Sequence, residues 1–289
     1  MNKPTKKQHF VPQVYLEGFS SDGIHVYRNV LVEDVIVSSK SVPIESIFRE
    51  DYLYEIKDSK DSFIALNHIE KCFCALEGMF SIYRNQLKIK AFNKVNHKTK
   101  CFFTHEEKAF WKLFVVLQML RSPEVLGVAR QFFAECFGDS MPVNDAHNIA
   151  TQMCLPFFKE LKPEDDNCLT RFLEPVLPMS IALGVDFSGR IITSDNPVFF
   201  YSKDKTISNC EKVVFPITSH LVLLLLGGEM KYGYDKNRAF ELDDDELESV
   251  IEPIAYSANK VIISRDPLTP KINKQICSAR KDKKEDLLN

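Results

Sequence analysis

Residues 104–121 read THEEKAFWKLFVVLQMLR and decide the fold at the centre of the chain. Thr104 is a typical helix N-cap residue, and Glu107 stands three places further on, as in a capping box. Apolar residues then recur at steps of three and four up to Leu117, which is the period of a helix buried on one face. The stretch therefore predicts a helix that begins after Thr104 and ends near Arg121.

The sequence on both sides of this stretch is also predicted to be helical. Apolar residues over 61–92 recur at steps of three and four. The dipeptide Ser122-Pro123 starts a further helix, with a capping serine and a proline at the first helical position. Another helix is expected from Asn144 to Leu161, with a kink or break at Pro156. These segments predict a helical bundle.

Alternating β-branched and aromatic residues predict strands toward both ends of the chain. The predicted strands are 24–27, 31–32, 35–37, 52–56, 181–185, 190–193, 198–201, 212–216, 221–226 and 261–263, with a helix over 243–257. The expected class is α+β, in which a central helical bundle is flanked by an N-terminal β-containing segment and a C-terminal antiparallel β-meander with one helix.

The 289 residues suggest a single α+β domain over 1–276. It consists of a β-containing part (1–60), a helical part (61–175) and a β-rich part (176–266). The strongly charged residues 277–289 are expected to form a mobile tail.

Composition excludes several classes of protein. With 37 basic and 40 acidic residues the net charge is −3, so no overall basic footprint indicates nucleic acid. The longest apolar run, 221–226, is far shorter than the roughly 20 residues of a membrane span, so no membrane contact is expected. The polar N-terminus and eight scattered cysteines without a C-x-x-C pair predict a cytoplasmic protein with reduced, mostly buried thiols.

The segment QHFVPQVYLEGF, residues 8–19, is the most distinctive motif. His9 stands just before the helix predicted to open at Pro12, where an imidazole can face a cavity and act as general base or metal ligand. Gln13 stands four places away as a candidate substrate-binding residue. In the alternative interpretation His9 only hydrogen-bonds a local turn.

A second motif, QMLRSP, ends the central helix. Gln118 and Arg121 are three residues apart and share a helix face. Arg121 is expected to hold a phosphate or carboxylate in bidentate fashion, with Gln118 beside it. The alternatives are an ion pair with Glu124 or neutralisation of the helix C-terminus.

A third motif, TSDNPV, follows an apolar strand at residues 193–198. A carboxylate at a strand end is held rigidly, so Asp195 is a candidate general base or metal ligand, and Asn196 a candidate substrate ligand. An ordinary Asx-Pro turn explains the same residues equally well.

Together with FPIT at 215–218 and ANKV at 258–261, these motifs resemble the domain-of-unknown-function family numbered 4238. The resemblance spans about residues 8–265. It implies a largely bacterial family without an established activity, so it supplies no catalytic roles. It also implies that the candidates share its motifs, and we expect them to converge in one pocket. They are His9, Gln13, Gln118, Arg121 and Asp195.

A local basic stretch over residues 84–100 lies between Glu77 and Glu106, where no acidic residue occurs. It is a candidate nucleic-acid contact, with interleaved aromatic residues for stacking. The residues assigned to this contact are Arg84, Lys88, Lys90 and Lys94. The alternative is a solvated helix face.

Three functional hypotheses follow. In the first the protein is a nuclease-like hydrolase of nucleic acid or another phosphate-containing substrate, in a setting such as bacterial defence. His9 and Asp195 then act as catalysts and hold a divalent metal, Mg²⁺ or Mn²⁺. In the second, the same pocket is a non-catalytic sensor of a ligand or protein. In the third, His9, Arg121 and Asp195 form a buried network that fixes how the β-containing ends meet the bundle. No oligomeric state follows from the sequence.

Overall fold

The computed structural model describes residues 4–94, 102–137, 143–157, 167–204, 206–227 and 238–288, and it confirms the α+β class. The helices in these ranges are α1 (Gln13–Leu16), α2 (His68–Lys94), α3 (His105–Leu120), α4 (Pro123–Phe137), α5 (Val143–Cys154), α6 (Cys168–Leu173), α7 (Asp244–Ser257) and α8 (Pro270–Leu288). The strands are β1 (Lys7–His9), β2 (His25–Val32), β3 (Val35–Pro43), β4 (Arg49–Asp51), β5 (Ile56–Lys57), β6 (Phe63–Ile64), β7 (Ser180–Val185), β8 (Thr193–Ser194), β9 (Phe199–Tyr201), β10 (Lys212–Thr218), β11 (Leu221–Leu226), β12 (Ala239–Glu241) and β13 (Val261–Ser264).

Helix α3 has the predicted capping box at its start. The Thr104 hydroxyl accepts the N–H of Glu107 at 3.2 Å, and the Glu107 carboxylate accepts the N–H of Thr104 at 2.7 Å. Trp111, in the middle of this helix, is fully buried. The second start signal is confirmed as well, because α4 begins at Pro123 directly after Ser122. Across the described ranges, no helix is both long and apolar enough to span a membrane.

Two larger sheets carry most of the strands. The five-stranded sheet has the order β12-β7-β11-β10-β9, with antiparallel neighbours except for the parallel pair β12 and β7. The four-stranded sheet has the order β3-β2-β13-β8. β8 and β13 therefore leave the expected C-terminal meander and join the N-terminal strands. Residue alternation predicts a strand but does not specify its partner.

Some element boundaries differ from the expectations. Of the strand predicted over 52–56 only Ile56 lies in a strand, β5, while residues 52–54 form a turn after β4, because Tyr52 has a φ of 57° in the left-handed region. Helix α2 begins only at His68, after the short strand β6. Helix α5 ends at Cys154, before Pro156, and the rest of the expected helix, from residue 158, lies outside the described residues.

The mobile tail expected from residue 277 is instead the second half of α8. Ile272, Ile276 and Ala279 are buried at steps of four and three on one face of this helix, which packs against α7. Arg280 and Lys283 both donate to the carbonyl of Ala258. The many charged residues made the narrow apolar row hard to recognise in the sequence. The side chains of that row pack α8 against the rest of the fold.

The cysteines within the described ranges are all free thiols. Of the seven cysteines in the described ranges only Cys154 and Cys210 are buried, and Cys74 and Cys136 are exposed, so the expectation that most thiols are buried is wrong. The Sγ atoms of Cys154 and Cys168 lie 3.9 Å apart.

Candidate functional site

The first two motifs bind each other through side chains of α3. The Gln118 amide donates to the carbonyl of Phe10 at 2.8 Å, and the Arg121 guanidinium donates to the carbonyl of His9 at 2.6 Å. Both bonds end on backbone atoms of the N-terminal segment. Gln118 and Arg121 therefore hold β1 and its continuation against the C-terminal end of α3.

Arg121 is only 3% exposed, and each of its nitrogens has a partner. Besides the bond to His9, Nη1 pairs with Glu77 at 2.9 Å and Nε lies 3.4 Å from the Tyr54 hydroxyl. The guanidinium carbon also lies 3.8 Å from the ring centroid of Phe73. The ion-pair partner is Glu77 rather than Glu124, and no open face is left for a bidentate phosphate.

His9 is half-buried and retains an open side. The Gln13 amide nitrogen lies 3.4 Å from a ring nitrogen of His9, which is a weak contact. Burial lowers the pKa of His9, the backbone at Glu45 opposes this effect, and Arg49 lowers it further. The imidazole is therefore neutral at pH 7.

Two carboxylates beside this motif were missed by the sequence analysis. Glu70 and Glu77 stand seven residues apart on α2, on the side that carries Phe73. Burial raises the pKa of Glu70 to about 7, Arg121 opposes the rise, and Glu77 adds to it. The Glu70 Oε1 atom is buried and has no hydrogen-bond partner among the described residues. The sequence did contain a signal for them: Glu70 stands three residues before Phe73 and Glu77 four residues after it, so all three share one side of α2. Near His9, Glu77 raises the pKa of the imidazole while Arg49 and Arg121 lower it, so charges of both signs surround this side chain.

Asp195 is 7% exposed and binds the segment that precedes β13. Its carboxylate accepts backbone N–H groups from Asn259 at 2.9 Å, Lys260 at 2.7 Å and Val261 at 3.1 Å. Burial raises the pKa of Asp195, and these three donors oppose the rise. Asn196 donates from its amide to the carbonyl of Ser257 at 3.3 Å. The TSDNPV and ANKV motifs therefore hold each other.

The first motif also contacts the TSDNPV motif and the FPIT motif. The Tyr15 hydroxyl lies 2.6 Å from the hydroxyl of Thr193, and the Tyr15 ring stacks on Phe215 with centroids 5.4 Å apart. Burial raises the pKa of Tyr15 strongly, so it is a neutral phenol. The distinctive motifs of the sequence thus form one set of mutual packing contacts.

The structure brings His9, Gln13, Gln118 and Arg121 together and gives Asp195 different partners. His9 and Asp195 share no hydrogen bond or ion pair in the part of the chain that the structure describes. Within the same ranges, no three His, Cys, Asp or Glu side chains are grouped closely enough to hold a metal ion. This donor set does not fit a Mg²⁺ or Mn²⁺ ion shared by His9 and Asp195.

Two residues of the basic stretch are used inside the fold. Arg84, 8% exposed, donates to the carbonyl of Val14. Lys90 pairs with Glu107 at 2.9 Å. Lys88 is exposed, whereas the side chain of Lys94 and residues 95–101 lie outside the described residues. Aromatic residues expected for stacking are buried in the core, namely Phe80, Phe102 and Phe103. The described part of this stretch offers one free cation, Lys88, rather than a basic patch.

A cavity of about 440 Å³ lies between the N-terminal half of α3 and the start of β7. Three basic residues, His105, Lys108 and Lys112, face it at steps of three and four along α3, and none of the lining residues is acidic. The other lining residues are Ala109, Leu177, Met179, Ser180 and Ile181. The cap, the apolar face and the Gln118–Arg121 pair of this helix were recognised in the sequence, whereas its basic face was not.

Lys112 is held in place by the opposite wall of this cavity. It is 7% exposed and donates to the carbonyls of Leu177 at 2.5 Å and Met179 at 2.7 Å. An ammonium has three N–H donors, so one remains for a ligand. Burial, and then the nearby charge of Lys108, lowers the pKa of Lys112 to about 8. The Lys108 ammonium itself has neither a hydrogen bond nor an ion pair with any described residue.

Comparison with known proteins identifies a family and nothing more specific. No curated protein and no solved structure matches the chain. The model of one family, described as "Protein of unknown function (DUF4238)", matches residues 7–267. Because this match covers nearly the whole sequence, the chain belongs to the DUF4238 family of proteins of unknown function.

Proposed function

We propose that the protein is a binding module that holds a small anionic molecule, through a phosphate or carboxylate group, in the cavity beside α3. One observation carries this proposal. The Lys108 ammonium has no partner among the described residues and lies at the same cavity as Lys112, which has a spare N–H. Two nearby positive charges without a counter-charge favour the binding of an anion.

The shape of the cavity favours a ligand with an apolar part. Its volume of about 440 Å³ falls in the range of small-molecule sites. Leu177, Met179 and Ile181 supply an apolar wall opposite the basic helix face. A ligand with an anionic head and an apolar body matches both sides.

Binding without turnover is favoured over hydrolysis because the motif residues needed for hydrolysis are buried and already bonded. Arg121 and Asp195, which the hydrolase hypothesis requires, are buried and bonded to other parts of the fold. The cavity has no carboxylate that could serve as an acid or base. The metal-dependent hydrolase remains a prediction from the sequence, as does binding of nucleic acid.

Isothermal titration calorimetry of the full chain with inorganic phosphate, pyrophosphate and octanoate tests the proposal. We expect binding in low salt, with octanoate or pyrophosphate tighter than phosphate because each fills more of the cavity. Lys108→Ala is expected to weaken binding about 10-fold or more, since a charge-assisted hydrogen bond is worth about 1.5–3 kcal/mol.

Lys281→Ala removes an exposed lysine from α8 and is the matched control, which should bind as the unchanged protein does. Equal affinity of Lys108→Ala and the unchanged protein, or no binding of any probe, would overturn the proposal. Release of nucleotides from labelled RNA or DNA after addition of Mn²⁺ would favour the hydrolase instead.

A further inference from the structure

The amine of Lys112 lies at the wall of the cavity beside α3 with two of its three outer positions occupied. The nitrogen donates to the carbonyls of Leu177 at 2.5 Å and Met179 at 2.7 Å. These two acceptors match the two N–H bonds of a neutral amine, and the third position of the nitrogen then holds its lone pair. Because Lys112 is buried apart from its contact with the cavity, that lone pair is available to a molecule bound there.

The surroundings of Lys112 favour the neutral form of its amine. Lys108 lies one helical turn before it and lines the same cavity, so two ammonium groups repel each other there. None of the described residues that line the cavity carries a carboxylate to offset this repulsion. With the pKa of Lys112 lowered to about 8, about a tenth of the molecules have a neutral amine at pH 7, against a few in ten thousand for an ordinary lysine.

The cavity combines this nucleophile with a cation and an apolar wall. Lys108 can bind a carboxylate while Lys112 contacts a carbonyl carbon next to it, because both amines line one cavity. The side chains of Leu177, Met179 and Ile181 offer an apolar surface to the rest of the ligand. An oxo acid with an aliphatic chain has a partner for each of these three features.

We propose that Lys112 binds an aliphatic 2-oxo acid covalently and reversibly, as an imine, while Lys108 holds the carboxylate of that acid. This inference rests on the anion-binding cavity proposed above and names the class of its ligand. Capture of this kind needs no acid or base from a carboxylate side chain.

Atoms and charge balance in this reaction without a further reactant. The ammonium of Lys112 first releases one proton to water, and its lone pair forms a bond to the carbonyl carbon as the π electrons move to the oxygen. The oxygen takes up that proton and one of the two remaining N–H protons, and it leaves as water while the C=N bond forms. The nitrogen keeps one N–H and its positive charge, so one of the two bonds to Leu177 and Met179 is retained.

Reductive trapping of the imine tests the inference. The full chain is incubated with 2-oxooctanoate at pH 7 in low salt, treated with sodium cyanoborohydride and mapped by peptide mass spectrometry. We expect the peptide that contains Lys112 to gain the mass of the acid less one oxygen atom. The modified fraction at Lys112 should exceed that at the exposed Lys281 at least about 10-fold, because Lys112 combines a raised neutral fraction with a bound carboxylate beside it.

Octanoate is the matched ligand, because it has the same chain length and carboxylate without the oxo group. It should compete for the cavity and lower the amount of adduct at Lys112. Lys112→Arg should abolish that adduct, whereas Lys281→Arg, on α8, is the control variant that keeps it. Trp111 fluorescence establishes that both variants are folded, and the peptide map of the unchanged protein depends on neither of them.

The imine and the anion site fail in different ways. If calorimetry detects octanoate binding that Lys108→Ala weakens, but no adduct forms at Lys112, the imine is overturned and the anion site stands. Equal modification of Lys112 and Lys281 would show that the acid reacts at the protein surface, which also overturns the imine. If neither octanoate nor 2-oxooctanoate binds, both proposals are overturned.

Discussion

The role of Asp195 can be decided by removing its carboxylate. In the structure the group accepts three backbone N–H groups, from Asn259, Lys260 and Val261, and is shielded from water. A buried donor that loses its acceptor costs about 1–3 kcal/mol. We therefore expect Asp195→Ala to lower the free energy of unfolding by about 3–5 kcal/mol, which is less than the sum because the loop can relax toward water.

The free energy of unfolding of Asp195→Asn should lie between that of Asp195→Ala and that of the unchanged protein. One amide oxygen at the Oδ2 position can still accept from Lys260 and Val261, while the amide nitrogen faces the N–H of Asn259. We expect a loss of about 1–2 kcal/mol, since one of three bonds is exchanged for an unfavourable contact.

Urea unfolding followed by tryptophan fluorescence measures these differences. The sequence has a single tryptophan, Trp111, and it is fully buried in the helical bundle, so its emission reports loss of the core. Asp266→Ala, at a carboxylate that is 65% exposed, is the control and should change stability by less than about 0.5 kcal/mol. If Asp195→Ala unfolds at the same urea concentration as the unchanged protein, the carboxylate does not hold the loop. A stable variant that had lost binding or activity would return Asp195 to the list of site residues.

Three further outcomes are expected. Arg121→Met should cost about 3–5 kcal/mol in the same urea assay, because it leaves the carboxylate of Glu77 partly buried without its cation; a loss below about 1 kcal/mol would show that the pair is dispensable. Glu70→Gln should raise the melting temperature at pH 8 and leave it unchanged at pH 4. The pKa of Glu70 in the folded protein, about 7, lies above its pKa in the unfolded chain, so the unchanged protein loses stability as the pH rises toward and through 7. Calorimetry with sulfate, whose charge is constant in this range, should show affinity falling about 10-fold between pH 7 and pH 9 as Lys112 loses its proton; a flat profile would mean that Lys112 does not bind the anion.

The sequence predicted those features whose interacting residues are close together in the chain. The capping box of Thr104 and Glu107 spans one helical turn, and helical period then extended this prediction over the whole of α3. The helix expected over 243–257 is likewise present as α7. The long α8 was missed because its apolar row is only one residue wide among many charges.

Contacts between residues far apart in the chain could not be predicted from local sequence patterns. The sequence pointed to Arg121 but not to its partner Glu77, which is 44 positions away. The same holds for the cavity, where Lys112 bonds to carbonyls 65 and 67 positions further along. Motif residues were selected as candidates for chemistry, and most of them hold backbone atoms of another motif. In the structure, Gln118, Arg121 and Asp195 bond to backbone atoms of distant segments, which no local pattern in the sequence predicts.

The shared four-stranded sheet sets the order in which the protein can fold during synthesis. Asn29 in β2 is bonded to Ile262 in β13, 233 positions later. The β2–β3 hairpin thus leaves the ribosome with one edge unpaired, and that edge is covered only after β13 has been translated. Contacts of such sequence separation slow folding and leave a strand edge open to other chains. The N-terminal hairpin therefore presents an open strand edge until β13 is available to pair with β2.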